Sequence, residues 1–533
     1  MNQVTPQELK KRLHDGSELA LLDVREAGQF GESHLLFATP LPYSRLELEI
    51  GVLAPRKSVA IVLCDGGSDG IAALAAQRLR DMGYSDVAVL EGGTAAWKAA
   101  GYALFAGVNV PSKTFGELVE HAYHTPRISA GELHRMKAAG EDFVILDGRP
   151  YTEYHKMSIP GGICCPNAEL PYRISGIVKD PKTKIIVNCA GRTRSIIGAQ
   201  TLISFGVKNP VYALENGTQG WFLADYELEH GAARKYPERI DDDALPGQRA
   251  AARELMERHG ARIATAQEVQ RWVDDDTRST YLLDVRTPEE YADGSIVGAL
   301  HAPGGQLIQA TDQWVGVRNA RIVLIDSEGV RAPVVASWLK QLGCDAYVLQ
   351  GGTSASVRGR NVPKPALPAV PEIPAAELKR ALDAGAVAAF DLGSSMQFRK
   401  AHIPGSRWSI RPRLAADARA AHRPIVLLAE DADMARLAAI DLRDAGITDV
   451  RILAGGTASW KAAGHATEPS PDAPPDAECI DYLFFVHDRH AGNRAAMRQY
   501  LAWETGLLAQ LDEDDKNSFA VGMRDRAEKP PHR

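Results

Sequence analysis

The chain repeats itself four times, and that repeat constrains the fold before any single motif does. Each unit opens with a turn and a short helix: Thr5-Pro6-Gln7-Glu8-Leu9, Ser129-Ala130-Gly131-Glu132-Leu133, Thr265-Ala266-Gln267-Glu268-Val269 and Pro374-Ala375-Ala376-Glu377-Leu378. The first three read as helix N-caps with Glu three places on, a capping-box pattern. A short apolar strand then ends in an acid: Ala20–Asp23, Val144–Asp147, Tyr281–Asp284 and Ala388–Asp391. Each unit closes on a tight turn, Gly92-Gly93-Thr94, Asn216-Gly217-Thr218, Gly351-Gly352-Thr353 or Gly455-Gly456-Thr457. From acid to turn is 69 residues in the first two units, 67 in the third and 64 in the fourth. Between these landmarks lie a second buried strand, a loop and an Ala-rich amphipathic helix such as Gly70–Met82 or Ser195–Phe205. Strands alternating with helices predict an α/β fold, each unit a central, mainly parallel sheet flanked by helices. The loop after the second strand then sits at the carboxyl end of the sheet, where open α/β folds bind ligands.

Turn-rich segments divide the chain at Gly107–Pro126, Pro237–Gly247, Asn361–Pro374 and Pro469–Glu478. The expected units are 1–107, 126–236, 260–360 and 372–468, followed by a helical tail, 479–533. In the tail, Arg494–Leu511 has apolar residues at helical spacing and Asp512–Lys516 is an acidic run. It reads as a helix docked on its own protein, with a solvated charge patch. The net charge of −7 provides no basic excess for a nucleic-acid backbone or an anionic membrane. Apolar runs such as Val59–Cys64 and Ile322–Ile325 are strand-length, and Met1–Pro6 lacks the apolar core of a signal peptide. Six cysteines are too few for a disulfide framework in a chain of 533 residues, so a reducing cytoplasm is the expected location.

Aligning the four loops exposes the chemistry. Unit two reads Asn188-Cys189-Ala190-Gly191-Arg192-Thr193-Arg194-Ser195. Read against the others, Cys189 matches Cys64, Asp326 and Ala429, and Arg194 matches Asp69, Arg331 and Met434. A cysteine at a strand end, leading into a helix N-terminus, is placed to be a thiolate, because loop amides and the helix dipole stabilise negative charge. Arg192 and Arg194 would add positive charge and hold an anionic substrate by forked hydrogen bonds. Cys64 is a second, weaker candidate, since Asp65 and Asp69 oppose both a thiolate and an anion. Units three and four lack the thiol and read as scaffold. Cys164 and Cys165 read as core residues, with a resolving thiol as the alternative; Cys344 and Cys479 read as inert. His121 and His124, three apart on a helix, lack a further ligand, and no metal site is expected.

These residues resemble the rhodanese sulfurtransferases. The resemblance rests on the acid-X-Arg strand ends (Asp23-Val24-Arg25, Asp147-Gly148-Arg149, Asp284-Val285-Arg286) and on His402-Ile403-Pro404-Gly405 with Ser158-Ile159-Pro160-Gly161. It rests also on the Cys-Ala-Gly-Arg-Thr-Arg loop and on the closing turns followed by Trp97, Trp221 or Trp460. It implies a sulfurtransferase without a cofactor, in which Cys189 takes a sulfane sulfur from thiosulfate or a persulfide. The sulfur would be held as a persulfide and passed to a thiol, cyanide or a protein acceptor. Amides of Ala190, Gly191, Arg192, Thr193, Arg194 and Ser195 would cradle it, and Arg194 would bind the donor. Arg192 and Arg149 are further candidates for substrate contact or loop support, with Asp147–Arg149 favoured as a structural pair. The family's frequent histidine before Ile-Pro-Gly is Ser158 in unit two, which leaves a catalytic histidine unsupported. Unit three lacks the final Trp, which predicts a shortened last helix. Two other readings stand beside this one: a scaffold of sulfur metabolism with vestigial catalysis, and a phosphatase or arsenate reductase. The second is disfavoured because four residues, not five, separate Cys189 from Arg194.

Overall fold

The computed structural model describes residues 2–238 and 243–522, apart from the side chains of Phe485, His490 and Ala491. The boundary at Pro237–Gly247 and the tail 479–533 therefore lie partly outside the described residues.

Each unit forms a five-stranded sheet in which every pairing is parallel. In unit two the strands run, edge to edge, Arg127–Ile128, Val211–Leu214, Lys184–Asn188, Phe143–Asp147 and Ile163–Cys164. Ile185, Ile186 and Val187 are fully buried, as expected for a parallel strand with helices on both faces. The connections from the two adjacent strands Phe143–Asp147 and Lys184–Asn188 leave toward opposite edges of the sheet. Their carboxyl ends therefore open a crevice, and Cys189 stands at its rim.

Local chemistry produces the unit boundaries. Thr5, Ser129 and Thr265 accept the amide three residues on, and the last two complete reciprocal boxes with Glu132 and Glu268. The loop helix of unit two is Thr193–Phe205, and that of unit one Ile71–Asp81. Where units one, two and four end in helices Gly93–Ala99, Gly217–Leu223 and Gly456–Ala462, unit three has a single 3-10 turn, Gly352–Ser354. Unit three has Ser356 where the other units bury Trp97, Trp221 and Trp460, so no indole anchors a longer helix there.

Units one, two and three share one hydrophobic core with the tail, running through Ile50, Phe115, Trp338 and Phe519. Unit four keeps separate clusters. It joins unit one through Arg411, whose buried guanidinium donates to Glu47, Asp441 and the carbonyls of Tyr43 and Ser44. The first boundary contains the helix Val110–Tyr123, which lies along the loop helix Thr193–Phe205. A Cβ at Gly116 would come within 2.8 Å of the Thr193 methyl, so only glycine permits this approach.

The tail docks on the protein as a helix, Arg494–Thr505. Its acidic run is not simply a solvated patch: Asp512 and Asp515 both hold Lys10 at 2.7 Å, and Asp515 is buried. The partner lies about five hundred residues away in sequence, beyond the reach of a local charge pattern. Among the described residues no helix is long and apolar enough to cross a membrane.

Candidate active site

The closing turn of unit two fastens the loop. Thr218 donates its amide to the Cys189 carbonyl at 2.8 Å, and Gln219 donates its amide and its side-chain Nε2 to the Ala190 carbonyl, both at 3.1 Å. Gly217, at φ +51°, would place a Cβ 2.1 Å from the Cys189 oxygen, so the turn requires glycine twice over. Ser195 Oγ donates to Cys189 Sγ at 3.2 Å, and the thiol is 2 % exposed.

The other units show what this loop attracts. In unit three the Asp326 carboxylate takes the amides of Val330 (3.0 Å) and Ala332 (2.9 Å), which correspond to Thr193 and Ser195. In unit one Asp65 takes the amides of Gly67 (2.8 Å) and Ala72 (2.9 Å). In unit four Asp431 takes the amide of Asp433 at 3.0 Å. A helix N-terminus with converging N–H groups is an anion site, and each of these three loops fills it with a carboxylate of its own.

Strand register corrects the alignment of unit one. Asp23 pairs with Cys64, Asp147 with Asn188 and Asp284 with Ile325. The counterpart of Cys189 is therefore Asp65, and the differences 65 − 23, 189 − 147 and 326 − 284 are all 42. Cys64 matches Asn188 and ends a core strand against Leu21 and Trp97. Burial, together with Asp23 and Asp65, pushes its thiol well above the ordinary range. The sequence reading of Cys64 as a second site does not survive this one-residue slip.

The two loop arginines are already partnered. Arg194 makes a forked pair with Glu153, both bonds 2.8 Å, and donates to Gln306 Oε1 of unit three at 3.2 Å. Burial works against its charge, but Glu153 outweighs that and keeps the pKa above the usual arginine value. Unit three repeats the pair as Arg331 with Glu290, whereas unit one carries Gln29 and unit four Gln397 at the glutamate's place. Arg192 faces the helix Val110–Tyr123, bonding Glu117 at 2.7 and 2.9 Å and Glu120 at 2.5 Å. Of the two expected roles, loop support is the one its geometry serves. The same holds for Arg149, which forks onto Asp147 (2.8 and 2.7 Å) and donates to the Met157 carbonyl.

Cys164 and Cys165 point to opposite faces of the sheet, one toward Tyr154 and the other toward Leu146 and Leu170. Burial pushes the Cys164 thiol up to about 12 and that of Cys165 well above the ordinary range. Neither is built as a ready nucleophile. Among the described residues no group of three or more His, Cys, Asp or Glu side chains could hold a metal ion.

One neighbour of the loop escaped the sequence reading. Glu504, from the tail helix, is fully buried and accepts the Thr193 hydroxyl at 2.7 Å, the Thr193 amide at 3.4 Å and Lys113 Nζ at 3.1 Å. Burial opposes its charge, yet Lys113 and Thr193 hold its carboxyl below the ordinary range. No local signal announces a contact spanning 311 residues.

Comparison with known proteins follows the same division. The model of the rhodanese-like domain matches residues 5–100, 129–224, 265–357 and 374–463. A solved thiosulfate sulfurtransferase from Pseudomonas aeruginosa is 42% identical, with a TM-score of 0.90, covering 98% of this chain and 99% of that one. A curated Mycobacterium tuberculosis protein named "Probable adenylyltransferase/sulfurtransferase MoeZ" is 35% identical over 95 residues, 18% of this chain and 24% of that protein. An HTH-type transcriptional regulator of the same organism is 32% identical over 105 residues, 20% of this chain and 45% of the regulator. The chain thus spans less than half the length of these two curated relatives.

Proposed function

The chain belongs to the rhodanese family, and on that premise we propose that it is a sulfurtransferase working through Cys189, with thiosulfate or a persulfide as donor. The Cys189 thiolate attacks the outer sulfur of the donor. The S–S bond to the leaving group breaks, and sulfite, or a thiolate from a persulfide donor, departs with the electron pair. The outer sulfur stays as a Cys189 persulfide anion, facing the amides of the Thr193–Phe205 N-terminus. A thiolate or cyanide then attacks that sulfur, and Cys189 leaves as thiolate. A protein thiol as acceptor follows the same steps.

The observation that carries this reading is the occupant of one position. Where the loop amides converge, units one and three place a carboxylate, Asp65 or Asp326, and unit two places the Cys189 thiol beside Ser195. Units one and three read as non-catalytic on this ground and unit four, with Ala429 at that position, for want of a thiol, although unit three lends Gln306 to Arg194. The four-residue interval to Arg194 still favours a sulfur atom over a phosphate. Initial-rate kinetics with thiosulfate and cyanide test the reading: a ping-pong pattern is expected in the wild type and loss of turnover in Cys189→Ser. Undiminished turnover in Cys189→Ser would overturn it.

A further inference from the structure

We infer that Glu504 determines which donors the Cys189 site accepts, by occupying with its own charge the place on Thr193 that an anionic donor needs. This rests on the assignment of Cys189 as nucleophile and goes beyond it. Each of the four equivalent loops has a carboxylate on its helix N-terminal amides. In units one, three and four that carboxylate belongs to the loop itself, as Asp65, Asp326 or Asp431. The loop of unit two, Cys189 to Ser195, contains no acid, and the tail delivers one to it.

Only one oxygen of Glu504 is satisfied. Oε1 takes Thr193 and Lys113, while Oε2 is buried without a partner, against the Gly191 face of the loop. A Cβ at Gly191 would meet that oxygen at 3.0 Å and the Tyr500 ring at 3.4 Å, so the loop glycine and the tail helix fit each other. The remaining charges are accounted for. Arg192 is taken by Glu117 and Glu120, Arg194 by Glu153, and Lys113 by Glu504 itself. From the tail, the Arg489 guanidinium lies 3.6 Å over the Tyr500 ring and also favours the Glu504 charge. A dianion such as thiosulfate must therefore displace Glu504 from Thr193, whereas an uncharged electrophile need not.

Alkylation of Cys189 separates charge from size without relying on turnover. The full-length protein is treated with iodoacetate, which is anionic, or iodoacetamide, its neutral isostere, and labelling at Cys189 is read by peptide mass. Glu504→Gln keeps the shape and removes the charge, and should raise the iodoacetate-to-iodoacetamide rate ratio about tenfold, as expected for removing one partly screened unit charge from beside the loop. Lys113→Gln leaves the Glu504 charge uncompensated and should lower that ratio. Opposite shifts cannot come from a loosened tail. An unchanged ratio in Glu504→Gln, or shifts of the same sign in both variants, would overturn the inference while leaving Cys189 reactive. If neither reagent labels Cys189 in any of the three proteins, the nucleophile assignment itself falls, and this inference with it.

Discussion

Arg149 stands a few residues from the crevice and carries the charge a sulfur anion would seek, yet its donors are committed to Asp147 and the Met157 carbonyl. The same pair recurs as Asp23–Arg25 with the Ser33 carbonyl and as Asp284–Arg286 with the Gly294 carbonyl, in units that lack the thiol loop. Its work is architectural: it ties the strand end to the turn that follows. Arg149→Met strands a buried carboxylate, and should lower unfolding stability by about 3–5 kcal/mol in denaturant titration. A raised thiosulfate KM with unchanged stability would instead place Arg149 on the substrate. The pair was legible in the sequence because it repeats. The partners of Arg192 and Arg194 were not, because Glu117, Glu120 and Glu153 lie outside the loops compared. One signal was available for Glu153, since glutamate and arginine occur together in units two and three and are both missing from units one and four.

The histidine that precedes Ile-Pro-Gly in unit four, His402, and its counterpart in unit one, His34 before Leu35-Leu36-Phe37, are decided by the element that carries them. His34 stacks on Phe30 with ring centroids 3.9 Å apart and donates Nδ1–H to the Phe30 carbonyl; His402 does the same with Phe398. The ring thus closes a short helix, and unit two substitutes Ser158 with Tyr154 bonded to the Gly162 carbonyl. Burial pulls the His34 pKa from 6.5 down to about 3, so the folded protein binds fewer protons than the unfolded chain between those values. The stabilisation is present above pH 6.5 and is lost as pH falls from 6.5 towards 3, by at most about 1.4 kcal/mol per pH unit. His34→Gln should flatten the stability–pH slope in that window, whatever its effect at neutral pH. An identical slope would show that the ring is not buried neutral. At this scale the strands, caps and loop helices followed from periodicity and capping residues. The slip that matched Cys64 with Cys189 came from aligning like residues: Cys64 and Cys189 share chemistry, but parallel pairing sets Cys64 beside Asp23 as Asn188 is beside Asp147. A one-residue shift moves a side chain to the other face of the sheet.

Over the whole molecule, four copies of one fold have divided the labour. Units one and three carry carboxylates where unit two carries a thiol, unit three supplies Gln306 to Arg194, and the tail supplies Glu504 and Tyr500 to the loop. The repeat made the units visible from the sequence, but their packing was not visible, because it depends on single long-range pairs such as Lys10–Asp515 and Arg411–Glu47. The central claim is that one of the four loops carries sulfur, and it is tested most directly by intact mass after thiosulfate treatment of wild type, Cys64→Ser and Cys189→Ser. Wild type and Cys64→Ser should each gain one sulfur atom that a thiol or cyanide removes, and Cys189→Ser should gain none. Uptake that survives in Cys189→Ser and disappears in Cys64→Ser would contradict the account.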